Sequence, residues 1–182
     1  MIRFLRAASL PLLLLLAQFA SAQIPTLVPL AGFGTNGDGT IRANDVDWLN
    51  DAGQIQRGMA WNPVTGHILL VCRTNAFSPT YYRVMILDGA TGAVITNEDG
   101  SPKQLDLSSL VQGGGNGSFL INMIGVADDG AIYAANLSNS QTPAQSVLYR
   151  WENEDAPMSF VWLGDPASGI GGTINRRWGD TF

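Results

Sequence analysis

Cysteine and histidine are nearly absent from this sequence, which holds one of each in 182 residues. One cysteine, Cys72, excludes an internal disulfide and any thiolate metal cluster, and one histidine, His67, excludes every multi-histidine metal site. Charge is scarce at 14%, which argues against a coiled coil, a basic nucleic-acid binder or a disordered acidic tail. A bilayer-spanning run is also missing. The longest apolar stretch, Ala7 to Phe19, has 13 residues and is interrupted by Pro11, short of the roughly 20 that a span requires. What is plentiful is glycine (21) and hydrophobic residues (46%), in a length that suits one ordinary domain.

The apolar stretch reads as a signal peptide. Arg3 and Arg6 precede it, Leu12 to Leu16 form its centre, and Ala20-Ser21-Ala22 supplies the small-x-small pattern that signal peptidase accepts. Residues 1–22 are therefore expected to be removed before Gln23, leaving a secreted or periplasmic chain without a membrane span. Cleavage leaves 160 residues carrying 8 basic and 15 acidic groups, a net charge of −7. Such a field repels phosphate backbones, so nucleic acid is not an expected partner. With no disulfide available, stability must come from packing. Cys72, inside the run Ile68-Leu69-Leu70-Val71-Cys72, is expected to be a buried, inert thiol.

Three segments follow: 1–22, a 23–55 extension with a Gly/Asn/Asp-rich turn, and 56–182, where strand signals are dense. Gly58-Met59-Ala60-Trp61, the turn Asn62-Pro63-Val64-Thr65-Gly66 and the run Ile68 to Cys72 predict a hairpin. After a polar linker, Thr74 to Thr80, the run Tyr81 to Leu87, the turn Asp88 to Gly92 and Ala93-Val94-Ile95 predict a second. The order then recurs: Asn122 to Ala127, the turn Asp128-Asp129-Gly130, Ala131 to Asn136, the linker Ser138 to Ala144, Ser146 to Trp151, and Met158 to Trp162. Gly58 aligns with Gly125 and Leu87 with Arg150. Gly113-Gly114-Gly115-Asn116-Gly117 connects the two units. A self-similar unit of four short strands is the signature of a β-propeller blade.

A third unit is expected to start at Arg176-Arg177-Trp178-Gly179-Asp180-Thr181-Phe182, which resembles Gln56 to Trp61. The fold expected is all-β: two antiparallel four-stranded blades and the start of another, a partial propeller. A small open β-sandwich of two four-stranded sheets is the alternative. The stretches Gln56 to Gly66, Gly125 to Tyr133, Leu148-Tyr149-Arg150-Trp151 and Arg177-Trp178-Gly179-Asp180 together resemble a family of exported bacterial proteins of unknown function. The resemblance covers about residues 56–182 and implies a blade-type fold and an exported location, with no catalytic residues to carry over. In that family the pattern continues well past the Arg-Trp-Gly-Asp stretch, so the resemblance also implies a chain cut short.

Few residues suggest chemistry. Gly32-Phe33-Gly34-Thr35-Asn36-Gly37 matches G-x-G-x-x-G, but Asp38-Gly39-Thr40 follows instead of the helix that a dinucleotide site needs. The same stretch resembles a calcium loop of the EF-hand type, with Asn36 at position 3, Asp38 at 5, Gly39 at the sharp turn, Thr40 as carbonyl ligand and Asp45 at 12. Gly34 stands at position 1, where an acid is expected, and Asp45 is shorter than the usual Glu. The competing reading is a turn before a short helix, Asn44 to Leu49, capped by Asn44. No G-x-S-x-G occurs, and His67, directly after Gly66, reads as a hairpin cap. Asp128 and Asp129 read as solvated turn residues, and Asp99, Asp106, Glu152, Glu154 and Asp155 as loop charge that keeps the protein soluble. Trp61, Trp151 and Trp162 read as packing residues, with an aromatic sugar-binding platform as the alternative.

These observations imply an exported, acidic, non-catalytic binding or structural module with no required cofactor. The expected partners are a polysaccharide or an envelope protein, or a second copy met through an exposed sheet edge. The alternative is part of a propeller hydrolase of lactonase or glycosidase type, acting with a metal in a central channel.

Overall fold

A computed structural model of the chain describes residues 28–43, 45–46, 48–49, 56–73, 82–110, 119–137 and 146–164. The expected signal peptide 1–22, the expected linkers 74–80 and 138–144, the glycine-rich stretch 113–117 and the expected third-unit start at 176–182 lie outside the described residues.

Seven strands form two antiparallel sheets, and no helix occurs among the described residues. The first sheet has the order β1 (Gln56–Asn62), β2 (His67–Arg73), β3 (Tyr82–Asp88). The second is a four-stranded meander of β4 (Phe119–Val126), β5 (Ile132–Leu137), β6 (Ser146–Trp151) and β7 (Ser159–Gly164). The chain is thus all-β, as expected, with both hairpins of the second unit in place. Each unit opens with a hairpin closed by a left-handed glycine: Gly66 at φ +73° and Gly130 at φ +87°. That backbone region costs most residues a clash between Cβ and the main chain.

The first sheet holds three strands where four were expected. Val94 meets Leu87 through a single bridge, and Gln104 meets Met85 through another. A turn at Asn97 to Gly100, with Asn97 N–H bonded to Ser101 O at 2.8 Å, reverses the chain. The free edge of β3 is consequently shared by two short pieces: Ile95 N–H bonds Ile86 O at 2.9 Å and Leu105 N–H bonds Val84 O at 3.2 Å.

The main core lies between the sheets. Leu69, Val71, Val84 and Ile86 of the first sheet meet Ile124, Ile132, Ala134, Val147, Tyr149 and Trp151 of the second. The opposite face of the first sheet is covered as well, because Trp48 packs on Cys72, Met85 and Leu87, with Ile41 and Val46 alongside. Covering on both faces explains why β2 and β3 are continuous apolar runs. Among the described residues the core cluster of the second sheet lies on one face, and β6 alternates accordingly, with Val147, Tyr149 and Trp151 buried. The short helix expected over Asn44 to Leu49 is replaced by an antiparallel bridge between Val46 and Leu49. Sheet packing of Val46, Trp48 and Leu49 overrides the local N-cap signal; Asn44 itself lies outside the described residues.

Gly58 sets how closely the sheets approach. A Cβ there would stand 2.9 Å from Asn122 O and Ile124 N and 3.1 Å from Met123 Cα, so only glycine lets β1 rest on the backbone of β4. Beside it, Arg57 Nε donates to Asn122 Oδ1 at 2.6 Å.

Candidate functional site

The most concentrated polar chemistry among the described residues is at the joint between the sheets. The turn that separates β1 from β2 carries Asn62, Thr65 and His67, and the loop from β6 to β7 faces it with Glu154. Within that loop Asn153 makes an Asx turn, its Oδ1 accepting from Asp155 N–H at 2.9 Å. This local turn sends neighbours in opposite directions. Asp155 points outward to Lys103 Nζ at 2.8 Å, whereas Glu154 is buried at 4% exposure.

Three donors converge on the Glu154 carboxylate. Asn62 Nδ2 and Thr65 Oγ1 each donate to Oε1 at 2.7 Å, and His67 Nδ1 lies 2.7 Å from Oε2. Asn62 is 1% exposed and is itself held by Val64 N–H, which donates to its Oδ1 at 3.0 Å. On the other side of His67 stands Asp88, its cross-strand partner. The Thr91 hydroxyl chiefly holds the Asp88 carboxyl below the usual range, with the nearby imidazole a lesser contributor.

This cluster resembles a catalytic triad in composition but not in connection. Nucleophilic catalysis needs a hydroxyl hydrogen-bonded to the histidine and the histidine to the acid. Here the Thr65 hydroxyl and the His67 ring both end on the same carboxylate, so the imidazole does not stand between the acid and the hydroxyl. His67 does cap the hairpin, its N–H donating to Thr65 Oγ1 at 3.3 Å, and it also binds across to the second sheet. Glu154, expected as loop charge, is corrected to a buried acceptor: the preceding Asx turn and three donors from the other sheet draw it inward. Among the described residues no group of three or more His, Cys, Asp or Glu is arranged to hold a metal ion.

The other candidates are dispersed. Asp38 accepts from Thr40 N–H at 3.1 Å, from Thr40 Oγ1 at 2.6 Å and from the Arg42 guanidinium. Its carboxyl is held low by the Thr40 hydroxyl first, then by the Thr40 amide and Arg42. Asp45 Oδ2 accepts from Thr35 Oγ1 at 2.8 Å and Arg42 N–H at 3.3 Å. Gly34 has no room for the acid that position 1 of a calcium loop would carry, since a Cβ would fall 1.7 Å from Thr40 O. Its N–H donates instead to Thr91 O at 2.7 Å and fastens the extension to the first sheet. Between them lies a cleft of about 280 Å³ lined by Gly32, Thr35, Ile41, Trp48, Gly92 and Val94, slightly below the size of a typical ligand pocket.

Asp129 caps its turn through Ala131 N–H at 3.0 Å, Asp99 binds Ser101, and Glu152 pairs with Arg150. Asp106 does more than carry charge, because its Oδ1 accepts from Ser108 N–H at 2.9 Å and its carbonyl from Trp151 Nε1 at 2.8 Å. The tryptophans do not form one platform. Trp151 is fully buried. Trp61 lies across Gly89 on the outer side of the first sheet, and Trp162 pairs with Leu148 on the outer side of the second. Cys72 is buried, and burial pushes its thiol up to about 12.

No protein-family model matches this chain, and no curated protein matches it. Among solved structures it is similar to a DUF4623 family protein from Bacteroides eggerthii, with 22% identity and a TM-score of 0.49. The match covers 69% of this chain and 25% of that one, so the chain spans about a quarter of the length of that structure.

Proposed function

We propose that the chain is an exported, non-catalytic binding or structural module whose two sheets are successive units of a propeller-type repeat. The observation that carries this reading is Glu154. The Glu154 carboxylate is buried, with its lone pairs taken up by Asn62, Thr65 and His67, and these contacts tie the hairpin of one unit to the loop of the next. The close approach of β1 to β4 at Gly58 supports the repeat, since it joins the first strand of one unit to the first strand of the following one. The signal-peptide pattern supports export, and the net negative charge favours a neutral polysaccharide or an envelope protein over nucleic acid. Edge strand β7, with Phe160, Val161, Trp162 and Leu163 all exposed, supports self-association through strand pairing.

A second reading, part of a metal-dependent propeller hydrolase, draws on Asn122. It is buried in the middle of β4 and bonded to Arg57 of β1, a buried polar pair of the kind such enzymes place around a channel. Incubating the secreted protein with ester, lactone and glycan panels, with and without EDTA, separates the two. No turnover together with retention on a polysaccharide or envelope-protein column is the expected result. EDTA-sensitive hydrolysis would overturn the non-catalytic reading.

A further inference from the structure

The cleft between the extension and the first sheet is bounded by Ile41, Val46 and Trp48 on the extension and by Ala93 and Val94 after β3. Its walls are fixed in advance. Gly34 N–H donates to Thr91 O at 2.7 Å. A Cβ at Gly92 would stand 2.9 Å from Phe33 Cζ and 3.1 Å from Ile41 Cδ1, so glycine there lets the extension lie against the turn. A preformed cleft loses little on binding, because its walls need no ordering.

Trp48 brings a polar group to this apolar space. It is 6% exposed and packs on Met85 and Leu87, yet its indole N–H, a donor only, meets no acceptor among the described residues. The N–H is not sealed inside protein either, and the open space that Trp48 borders is the cleft. Buried donors are rarely left unpaired. This one is placed for water, or for a ligand oxygen that takes the water's position. Acceptors belong to the same cleft. Thr35 lines it and donates to Asp45 Oδ2 at 2.8 Å, and Arg42 N–H donates to that same oxygen at 3.3 Å. Asp45 Oδ1 and the Thr35 hydroxyl oxygen are left to accept.

Ions of either sign are poorly served here. The Arg42 guanidinium is taken by Asp38, and the acidic surplus of the chain repels anions. The Asp38 carboxylate is filled by Thr40 and Arg42. What fits is a neutral ring with an apolar face and hydroxyls at its edge. At about 280 Å³ the cleft takes one ring and not an extended chain.

We propose that this cleft binds a single neutral sugar ring of a polysaccharide. The C–H face of the ring lies on Ile41, Val46 and Val94. One ring substituent oxygen accepts from Trp48 Nε1, and one hydroxyl donates to Thr35 Oγ1 or Asp45 Oδ1. The proposal rests on the binding-module reading above and gives that module its ligand site.

The test titrates the full chain from Gln23 with cello-, xylo-, manno- and malto-oligosaccharides by calorimetry, and follows hydrolysis in the same samples. At least one class binds, at one site per chain. Trp48→Phe keeps a ring on Met85 and Leu87 but removes the N–H, and weakens binding about tenfold, as loss of one hydrogen bond predicts. Ala93→Leu fills the cleft from an exposed position, so it abolishes binding and leaves the thermal midpoint in place, which decides the matter if Trp48→Phe also lowers the midpoint. Binding that neither substitution weakens overturns this site while the module reading stands. Absence of binding by all four classes overturns it as well. EDTA-sensitive hydrolysis overturns the non-catalytic reading on which the site rests.

Discussion

Replacing Glu154 by alanine is the sharpest probe of the joint between the sheets. The substitution removes the acceptor of three hydrogen bonds but does not strand three donors equally. Thr65 is exposed and the His67 side chain is 20% exposed, so water can recover both. Asn62, at 1% exposure, cannot be reached, and a buried unsatisfied amide costs about 1–3 kcal/mol. Adding the lost charge-assisted contacts gives about 3 kcal/mol, the low end for breaking a buried pair. For a chain of this size that lowers the thermal midpoint by about 6–12 °C. Urea unfolding followed by tryptophan fluorescence measures it as a shifted midpoint at constant slope, with the buried Trp151 near the loop as reporter. Glu154→Gln, which keeps an acceptor for Asn62, should lose roughly half as much. A double-mutant cycle with His67→Ala should show coupling of about 1 kcal/mol. A loss below about 0.5 kcal/mol for Glu154→Ala would refute the reasoning. An increase in stability would refute it more strongly, because functional sites, not staples, gain stability when their strained charge is removed.

Cys72, its thiol pushed up to about 12, should resist iodoacetamide in the folded protein near neutral pH and react at once in urea; fast labelling without urea would place it at the surface. Asp38, Asp88, Asp99 and Asp106 are all held below the ordinary aspartate value of 3.8, chiefly by Thr40, Thr91, Ser101 and Ser108. Their contribution is complete above 3.8 and fades as pH falls through the lower folded values, so the urea midpoint should be level near neutrality and decline below about pH 4. Millimolar calcium should leave the thermal midpoint unmoved, because binding at Asp38 and Asp45 must first displace Thr40, Thr35 and Arg42; a rise of several degrees would reinstate the calcium loop. Val161→Lys on the edge of β7 should reduce any concentration-dependent association seen by light scattering, and no change would point to a different surface.

Strand positions were legible wherever burial leaves a local trace. The run Ile68 to Cys72 and the alternation of Ser146 to Trp151 each mark a strand, and their difference reflects core clusters that, among the described residues, lie on both faces of one sheet and on one face of the other. Two expectations failed where tertiary packing outweighed local signals. Ala93-Val94-Ile95 has strand composition, yet the Asn97 to Gly100 turn allows it only a bridge to β3. The stretch at 44–49 has a helix cap, yet Trp48 gains more by lying on Met85 and Leu87.

Glu154 was illegible for a physical reason. It sits among Glu152, Asn153 and Asp155, in a run whose composition is that of a solvated loop, and its donor Asn62 is 92 residues away. Glu152 and Asp155 behave as the composition suggests, in exposed pairs with Arg150 and Lys103. Of the two residues between them, only Glu154 turns in. The consequence for the fold is positional more than energetic. The apolar contact between the sheets is non-directional, and Leu69 could meet Ile132 or Val147 with little difference in transfer free energy. The carboxylate and Gly58 remove that latitude. A slide of one strand position would leave Asn62 and Glu154 buried without partners and bring a side chain against the β4 backbone. Each outcome costs more than a surface ion pair contributes. Glu154 and Gly58 thereby decide which hairpin of one sheet faces which loop of the next.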